Sequence, residues 1–170
     1  MSAPIDEGRR AFLGMRARPA ADPAAILPPW STAQSIAEHC TGCGDCIAVC
    51  PEQILVPDSR GAPKVDFSRG ACTFCGDCAQ SCSAPVFHRD LSPPWRVTVA
   101  ISDRCLPRRG IVCESCRDAC ADSAIRFVRA PGRAPVPEVA LDRCTGCGAC
   151  VSVCPESAIS AAYDREAAHG

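Results

Sequence analysis

The chain has 170 residues, and 16 of them are cysteine, several times the ordinary usage of this residue. With 47% hydrophobic and 22% charged residues and a formal net charge of −1, the composition excludes both a disordered polyelectrolyte and a basic nucleic-acid-binding protein. No segment approaches the roughly 20 apolar residues that cross a bilayer, so no transmembrane segment is predicted. Because only 5% of the residues are aromatic, something other than apolar burial must supply much of the stability.

Residues 1–29 contain no cysteine and are predicted to form an N-terminal arm with basic and apolar side chains. Arg9 and Arg10, followed by Ala-Phe-Leu, look like the core of a twin-arginine export signal. Such a signal also needs an apolar stretch of about 7–15 residues, which arginines and prolines interrupt here. We therefore expect a cytoplasmic protein, in a compartment where thiols stay reduced and cysteine clusters bind metal.

Residues 30–92 are predicted to form a first domain with two cysteine runs of the form C-x-x-C-x-x-C-x-x-x-C. Between the runs, residues 54–56 and 64–67 flank a turn and predict a β-hairpin, whereas the segment 31–38 is ambiguous. A short helix is expected over Cys46–Cys50, ending before Pro51. The cysteines of the two runs are Cys40, Cys43, Cys46 and Cys50, and Cys72, Cys75, Cys78 and Cys82.

Residues 93–163 repeat this organisation as a second domain, followed by a tail at 164–170. A Pro-Pro-Trp triplet precedes both domains, with Trp30 ten residues before Cys40 and Trp95 ten residues before Cys105, which indicates an internal duplication. The second domain is predicted to contain an edge strand at 96–101, a hairpin from 125–128 and 138–141, and a short helix over Cys150–Cys154. Its runs are Cys105, Cys113, Cys116 and Cys120, with the first gap widened to seven residues, and Cys144, Cys147, Cys150 and Cys154.

This spacing is typical of bacterial ferredoxins that bind 4Fe-4S clusters. Structural zinc sites instead combine two separated C-x-x-C knuckles, often with histidine, and the three histidines lie at no ligand spacing. A disulfide framework would require an oxidising compartment. The four runs therefore predict four 4Fe-4S clusters in an α+β fold of two tandem bacterial-type ferredoxin domains, each binding two clusters.

In paired ferredoxin clusters, the fourth cysteine of each run binds the cluster of the other run. The predicted ligand sets are Cys40, Cys43, Cys46 and Cys82 for cluster 1; Cys72, Cys75, Cys78 and Cys50 for cluster 2; Cys105, Cys113, Cys116 and Cys154 for cluster 3; and Cys144, Cys147, Cys150 and Cys120 for cluster 4. Because each cluster joins two distant segments, we expect the apoprotein to be largely unfolded.

The four clusters are not expected to be equivalent. Glycines at positions 42 and 146 let the backbone approach a cluster closely, whereas Phe74 replaces the corresponding glycine in the second run. Four arginines stand close to the runs in sequence and either moderate the cluster potentials or are solvated charges. They are Arg69, Arg104, Arg117 and Arg143.

The Arg9-Arg10 segment, the Pro-Pro-Trp triplet, the four runs and the widened third run together resemble the NapF family of ferredoxin-type proteins. These are accessory proteins of the periplasmic nitrate reductase system in bacteria, and the resemblance covers nearly the whole chain. It implies a cytoplasmic protein that binds the catalytic subunit of periplasmic nitrate reductase and assists its maturation before export, by iron-sulfur cluster assembly or electron supply. A cytoplasmic electron donor is a further expected partner.

A second function remains open, that of a polyferredoxin electron carrier or an electron-transfer subunit of a reductase or hydrogenase. The sequence contains no H-E-x-x-H motif, phosphate loop or dinucleotide-binding glycine motif, so no enzymatic activity of its own is predicted. The arm distinguishes the two functions. Phe12, Leu13 and Met15 suggest a docking helix, the alternative being a disordered tail, whereas a carrier needs only a surface beside its clusters.

Overall fold

The computed structural model describes residues 25–129 and 134–164. Its helices and strands are short, and segments without regular structure carry most of the cysteines. In chain order the elements are α1 (Ala33–His39), α2 (Asp45–Ala48), β1 (Leu55–Pro57), β2 (Pro63–Val65), α3 (Asp77–Gln80), β3 (Val97–Ile101), a 3-10 turn (Leu106–Arg109), α4 (Ser115–Asp118), β4 (Ile125–Val128), β5 (Val136–Val139), α5 (Ala149–Ser152) and β6 (Ile159–Tyr163). Within these ranges no helix has both the length and the apolar character needed to span a membrane.

The strands of the described residues form three two-stranded antiparallel sheets, β1 with β2, β3 with β6, and β4 with β5. The hairpin predicted near residues 54–67 is present, with Leu55 opposite Val65. In the second hairpin the prediction of a strand at 138–141 is wrong at both ends, because β5 covers 136–139 and Ile125 lies opposite Val139. The chain turns directly after β5, where the Cys144 N–H donates to the Ala140 carbonyl, so Leu141 has no place in the strand.

The two halves differ in the segment before their first cysteine. The strand predicted at residues 96–101 is present as β3 (Val97–Ile101), which pairs with β6. The corresponding segment of the first half is the helix α1, which begins with a reciprocal capping box between Thr32 and Ser35. The buried Ser35 hydroxyl also donates to the Val86 carbonyl at 2.7 Å. Capping and a buried anchor therefore favour a helix there.

The short helices that carry the third cysteine of each run begin one residue earlier than predicted. The helix expected over Cys46–Cys50 is α2 (Asp45–Ala48), and the helix expected over Cys150–Cys154 is α5 (Ala149–Ser152). Glycines with positive φ precede both helices and set their start. Both helices end before the fourth cysteine, because the chain must turn there to enter the following strand.

The largest buried cluster lies between the halves. It joins Ile26 of the arm, and Ile54 and Phe67 of the first half, to Trp95 and Val97, which open the second half. Residues 25–29, the end of the predicted arm, are part of this packing: the Val65 N–H donates to the Ile26 carbonyl at 2.7 Å. The Leu27 N–H donates to the Tyr163 hydroxyl at 2.9 Å. Residues 1–24 and 165–170, including the predicted docking residues of the arm and most of the tail, lie outside the described residues.

Candidate iron-sulfur centres

The clearest candidate site is a cavity whose lining includes four thiols. Cys72, Cys75 and Cys78 come from one run, and Cys50 comes from the other run of the same half. The turn after α2 carries Cys50 to this cavity, and α3 carries Cys78. The remaining wall is mostly apolar and includes Trp30, Ile54, Leu55 and Phe74. The structure therefore brings the predicted ligands of cluster 2 to one site.

The second half contains two cavities of the same kind. The lining of one includes Cys105, Cys113, Cys116 and Cys154. The lining of the other includes Cys120, Cys144, Cys147 and Cys150. In each cavity three thiols come from one cysteine run of the second half, and the fourth thiol comes from the other run of that half, Cys154 in the first cavity and Cys120 in the second. The widened gap in the third run forms the 3-10 turn Leu106–Arg109, which returns the chain to Cys113.

The thiols predicted for cluster 1 also lie together. Cys40 and Cys82, far apart in sequence, pack against one buried cluster of Ile36, Ala62 and Val86. Burial raises the pKa of Cys46 to about 12, and the neighbouring thiols of Cys82, Cys40, Cys78 and Cys43 add to the rise. The structure thus places all four predicted thiols in one neighbourhood.

Burial raises the pKa of the central thiols at the other sites as well. The pKa of Cys150 rises to about 12, and those of Cys72, Cys78 and Cys116 rise to about 11. Without metal these thiols hold their protons at neutral pH. Binding of iron requires thiolates, so loading of the sites must release protons.

The backbone supplies polar groups at the sulfurs. The Phe74 N–H donates to Cys72 Sγ at 3.4 Å, and the N–H groups of Ala124 and Ala158 donate to Cys120 Sγ and Cys154 Sγ at 3.2 and 3.3 Å. Hydrogen bonds to cluster sulfurs are one determinant of reduction potential. Phe74 reaches its position by adopting φ +54°, close to the φ of +74° and +72° at the equivalent Gly42 and Gly146.

The donor set fits a 4Fe-4S cluster. Each of these sites offers four sulfurs, the number that a 4Fe-4S cluster requires, and in three of them the four sulfurs line one cavity. In the described part of the chain, no three His, Cys, Asp or Glu side chains are arranged to hold a single metal ion. His39, beside Cys40, lies 3.7 Å from the Glu38 carboxylate.

The four thiol sets adjoin one another in a row. Cys46 of the first set lies within electrostatic reach of Cys78 of the second, and Cys72 of the second lies within reach of Cys147 of the fourth. Cys150 of the fourth set interacts in the same way with Cys116 of the third. The row therefore runs through both halves, with the second and fourth sets at the junction.

An aromatic group at the same junction was not predicted from the sequence. The Phe74 ring packs edge-on between Trp30 and Trp95, with ring centroids 6.5 and 5.5 Å away. The duplicated Pro-Pro-Trp triplets are the sequence feature that could have indicated this aromatic group. Both tryptophans contact Phe74, the residue that replaces glycine in the second run. Phe74 thus fills the space between the cysteine loop and the second half.

Comparison with known proteins agrees with this geometry. The family model of the 4Fe-4S dicluster domain matches residues 39–86 and 110–158. The chain is 48% identical over 136 residues to the ferredoxin-type protein NapF of Haemophilus influenzae, covering 79% of this chain and 77% of that protein. It is 38% identical over 160 residues to the ferredoxin-type protein NapF of Escherichia coli K12, covering 94% and 96% of the two chains. No solved structure matches the chain significantly.

Proposed function

The chain belongs to the NapF family of ferredoxin-type proteins, and from this premise we propose that it is a cytoplasmic four-cluster accessory protein of periplasmic nitrate reductase. It binds the catalytic subunit of that enzyme and assists its maturation before export. The observation that carries the proposal is the row of four adjoining cysteine sets, because such a row would place four redox centres next to one another in a single chain.

We assign the ligands by the crossed pattern. The first site uses Cys40, Cys43, Cys46 and Cys82; the second uses Cys72, Cys75, Cys78 and Cys50; the third uses Cys105, Cys113, Cys116 and Cys154; the fourth uses Cys144, Cys147, Cys150 and Cys120. The 4Fe-4S clusters, when bound, supply one-electron transfer. Three of these sets line cavities, and the first is supported by the proximity of its thiols.

The walls of the cavities favour an accessory or electron-transfer role over substrate chemistry. Thiols, apolar side chains and backbone groups make up most of the lining, and these groups hold and tune a cluster. We propose that the protein has no substrate site of its own. Its contribution to the client is then cluster assembly or the supply of electrons from a cytoplasmic donor.

The proposal is tested in cells that carry or lack this protein, from which the catalytic subunit is purified without oxygen and its iron content measured. A catalytic subunit that lacks its own cluster when the accessory protein is absent supports a role in assembly. A subunit with a full cluster but low activity supports electron supply. An unchanged cluster content and an unchanged activity would contradict the accessory role and favour an electron carrier for another reductase or hydrogenase.

Binding is tested separately by capture. The full-length protein, tagged at its C-terminus, is expected to retain the catalytic subunit from extracts of cells grown with nitrate. A variant in which the exposed Cys75 is replaced by serine perturbs the second site and shows whether capture depends on that cluster. Retention of other redox enzymes, without the nitrate reductase subunit, would contradict the proposed partner.

A further inference from the structure

Arg89 lies against the wall of the second cysteine site. Its guanidinium carbon is 5.5 Å from the centroid of the Trp30 ring, in a cation-π arrangement. The guanidinium nitrogens also cover Gly76, since a Cβ at that position would lie 2.9 and 3.0 Å from them. Trp30 and Gly76 both line the cavity that Cys50, Cys72, Cys75 and Cys78 surround. The charged end of Arg89 is therefore on the outer face of that wall.

The backbone on both sides holds this arrangement in place. The His88 N–H donates to the Trp30 carbonyl at 2.7 Å, one residue before Arg89. The Trp30 N–H in turn donates to the Pro94 carbonyl at 2.6 Å, and Ser31 forms a bridge with Phe87. The tryptophan ring is fixed as well by its edge contact with Phe74. The guanidinium thus stacks on a ring whose position is set by the fold.

The charge of Arg89 is not neutralised by an acidic partner among the ion pairs of the described residues. Some of the other arginines near the cysteine runs are paired with carboxylates: Arg69 with Asp66 at 3.4 Å, and Arg117 with Glu114 at 2.5 Å. Arg104 instead donates to the Ser157 carbonyl. Arg109 pairs with Glu156 at 3.2 Å. An arginine and its carboxylate partner together contribute little net electrostatic field, because their charges are opposite. Arg89 therefore presents a positive charge to the second site.

We propose that Arg89 raises the reduction potential of the cluster held by Cys50, Cys72, Cys75 and Cys78. The inference rests on the proposed function, since it requires a cluster at that site. Reduction adds one electron and no bond is made or broken, so the site gains one negative charge. A fixed cation beside the site stabilises the reduced form more than the oxidised form, which shifts the potential upward. The contact with the Trp30 ring holds the exposed guanidinium in place beside the site.

The test is a redox titration of the loaded full-length protein with dithionite, followed by electron paramagnetic resonance. Arg89→Gln removes the charge, and Arg89→Lys keeps the charge without the planar guanidinium. The double variant Asp66→Asn/Arg69→Gln removes an arginine three residues before Cys72 together with its carboxylate partner, so the net charge is unchanged. Iron and sulfide are counted in every variant. A further variant, Cys75→Ser, identifies the signal that belongs to the second site.

We expect Arg89→Gln to lower one midpoint potential, that of the signal altered by Cys75→Ser, with full iron content and the other signals unchanged. Arg89→Lys should stay close to the wild-type potential, and Asp66→Asn/Arg69→Gln, which leaves the net charge unchanged, should shift it less than Arg89→Gln. An unshifted potential in Arg89→Gln with all iron retained would overturn the inference, as would loss of iron from that variant or an equal shift in Arg89→Lys. Absence of iron and sulfide from the wild-type protein would instead refute the proposed function.

Discussion

The backbone N–H of Cys72 donates a hydrogen bond of 2.8 Å to the carbonyl of Cys147. Cys72 belongs to the second cysteine site and Cys147 to the fourth, so this bond joins the cysteine loops of the two halves directly. The neighbouring Trp95 Nε1 donates to the Thr145 carbonyl at 2.8 Å, and the Phe67 ring packs edge-on against Trp95. The halves are therefore held together at the loops that carry the proposed ligands.

The first prediction concerns Gly148, where the two halves pack tightly against each other. A Cβ at Gly148 would overlap the Phe67 ring, which is buried against Trp95 and has little space to move. We expect Gly148→Ala to destabilise the protein by about 1–3 kcal/mol through overpacking, beyond the cost of its backbone conformation. The measurement is the thermal unfolding midpoint of the loaded protein.

The matched control for that variant is Gly44→Ala. Gly44 occupies the same position in the first run, with φ +86° against +84° at Gly148, but a Cβ at Gly44 would have no atom within 4 Å outside its immediate chain neighbours. Both variants therefore carry the same conformational strain. Equal losses of stability in Gly148→Ala and Gly44→Ala would show that the close contact between Gly148 and the Phe67 ring does not affect the stability of the junction.

Trp95 contributes a hydrogen bond that Trp30 lacks among the described residues. Trp95→Phe and Trp30→Phe remove the same ring volume, but only the first variant removes the bond to the Thr145 carbonyl. A net hydrogen bond is worth about 1 kcal/mol, which corresponds to roughly 2–4 °C for a domain of this size. We expect the unfolding midpoint of Trp95→Phe to fall below that of Trp30→Phe by that amount, and the reverse order would contradict this account of the junction.

Crossed ligation makes a prediction for Cys50. Cys50→Ala is expected to remove or convert the cluster of Cys72, Cys75 and Cys78, although Cys50 belongs to the first run. Iron analysis and electron paramagnetic resonance should show the second half still loaded. Cys82→Ala is the matched variant, expected to affect the site of Cys46 instead. Loss of only that first site in Cys50→Ala would contradict the assignment.

The arm makes a prediction for binding. Deletion of residues 1–24 should leave the cluster content unchanged and weaken capture of the catalytic subunit. The remaining capture should be less sensitive to salt than that of the full-length protein, because the deletion removes Arg9 and Arg10, which steer the encounter by their charge. The deletion has to stop there, because Ile26 is buried in the junction between the halves. A longer deletion that removes Ile26 serves as the control for damage to the fold. Unchanged capture by the 25–170 chain would rule out docking through the arm.

The sequence predicts the features that depend on local spacing. The first hairpin and the strand at 96–101 follow from short alternating patterns, and the short helices follow from the third cysteine of each run. Residues 31–38 are ambiguous in sequence because the buried anchor of α1, the bond from Ser35 to Val86, joins residues far apart in the chain. The shift of β5 has a related cause, since the turn into Cys144 fixes where the strand must end.

The functional details that the sequence missed are also long-range contacts. Arg89 was not among the arginines selected by proximity to the cysteine runs, because it reaches Gly76 across a turn of the fold. Phe74 was recognised as a departure from glycine, but its contacts with Trp30 and Trp95 come from segments on either side of the first half. Sequence spacing identifies candidate ligands, whereas the residues that surround them are assembled only by folding.

The most direct test of the central proposal is the iron and acid-labile sulfide content of the full-length protein purified without oxygen. Four 4Fe-4S clusters predict about 16 iron and about 16 sulfide per chain. Removal of the iron by a chelator should then abolish most of the folded structure seen by circular dichroism, because the proposed ligands of each site come from separate segments. Stoichiometric zinc without sulfide, or about half the predicted iron in protein with every cysteine intact, would contradict the four-cluster account.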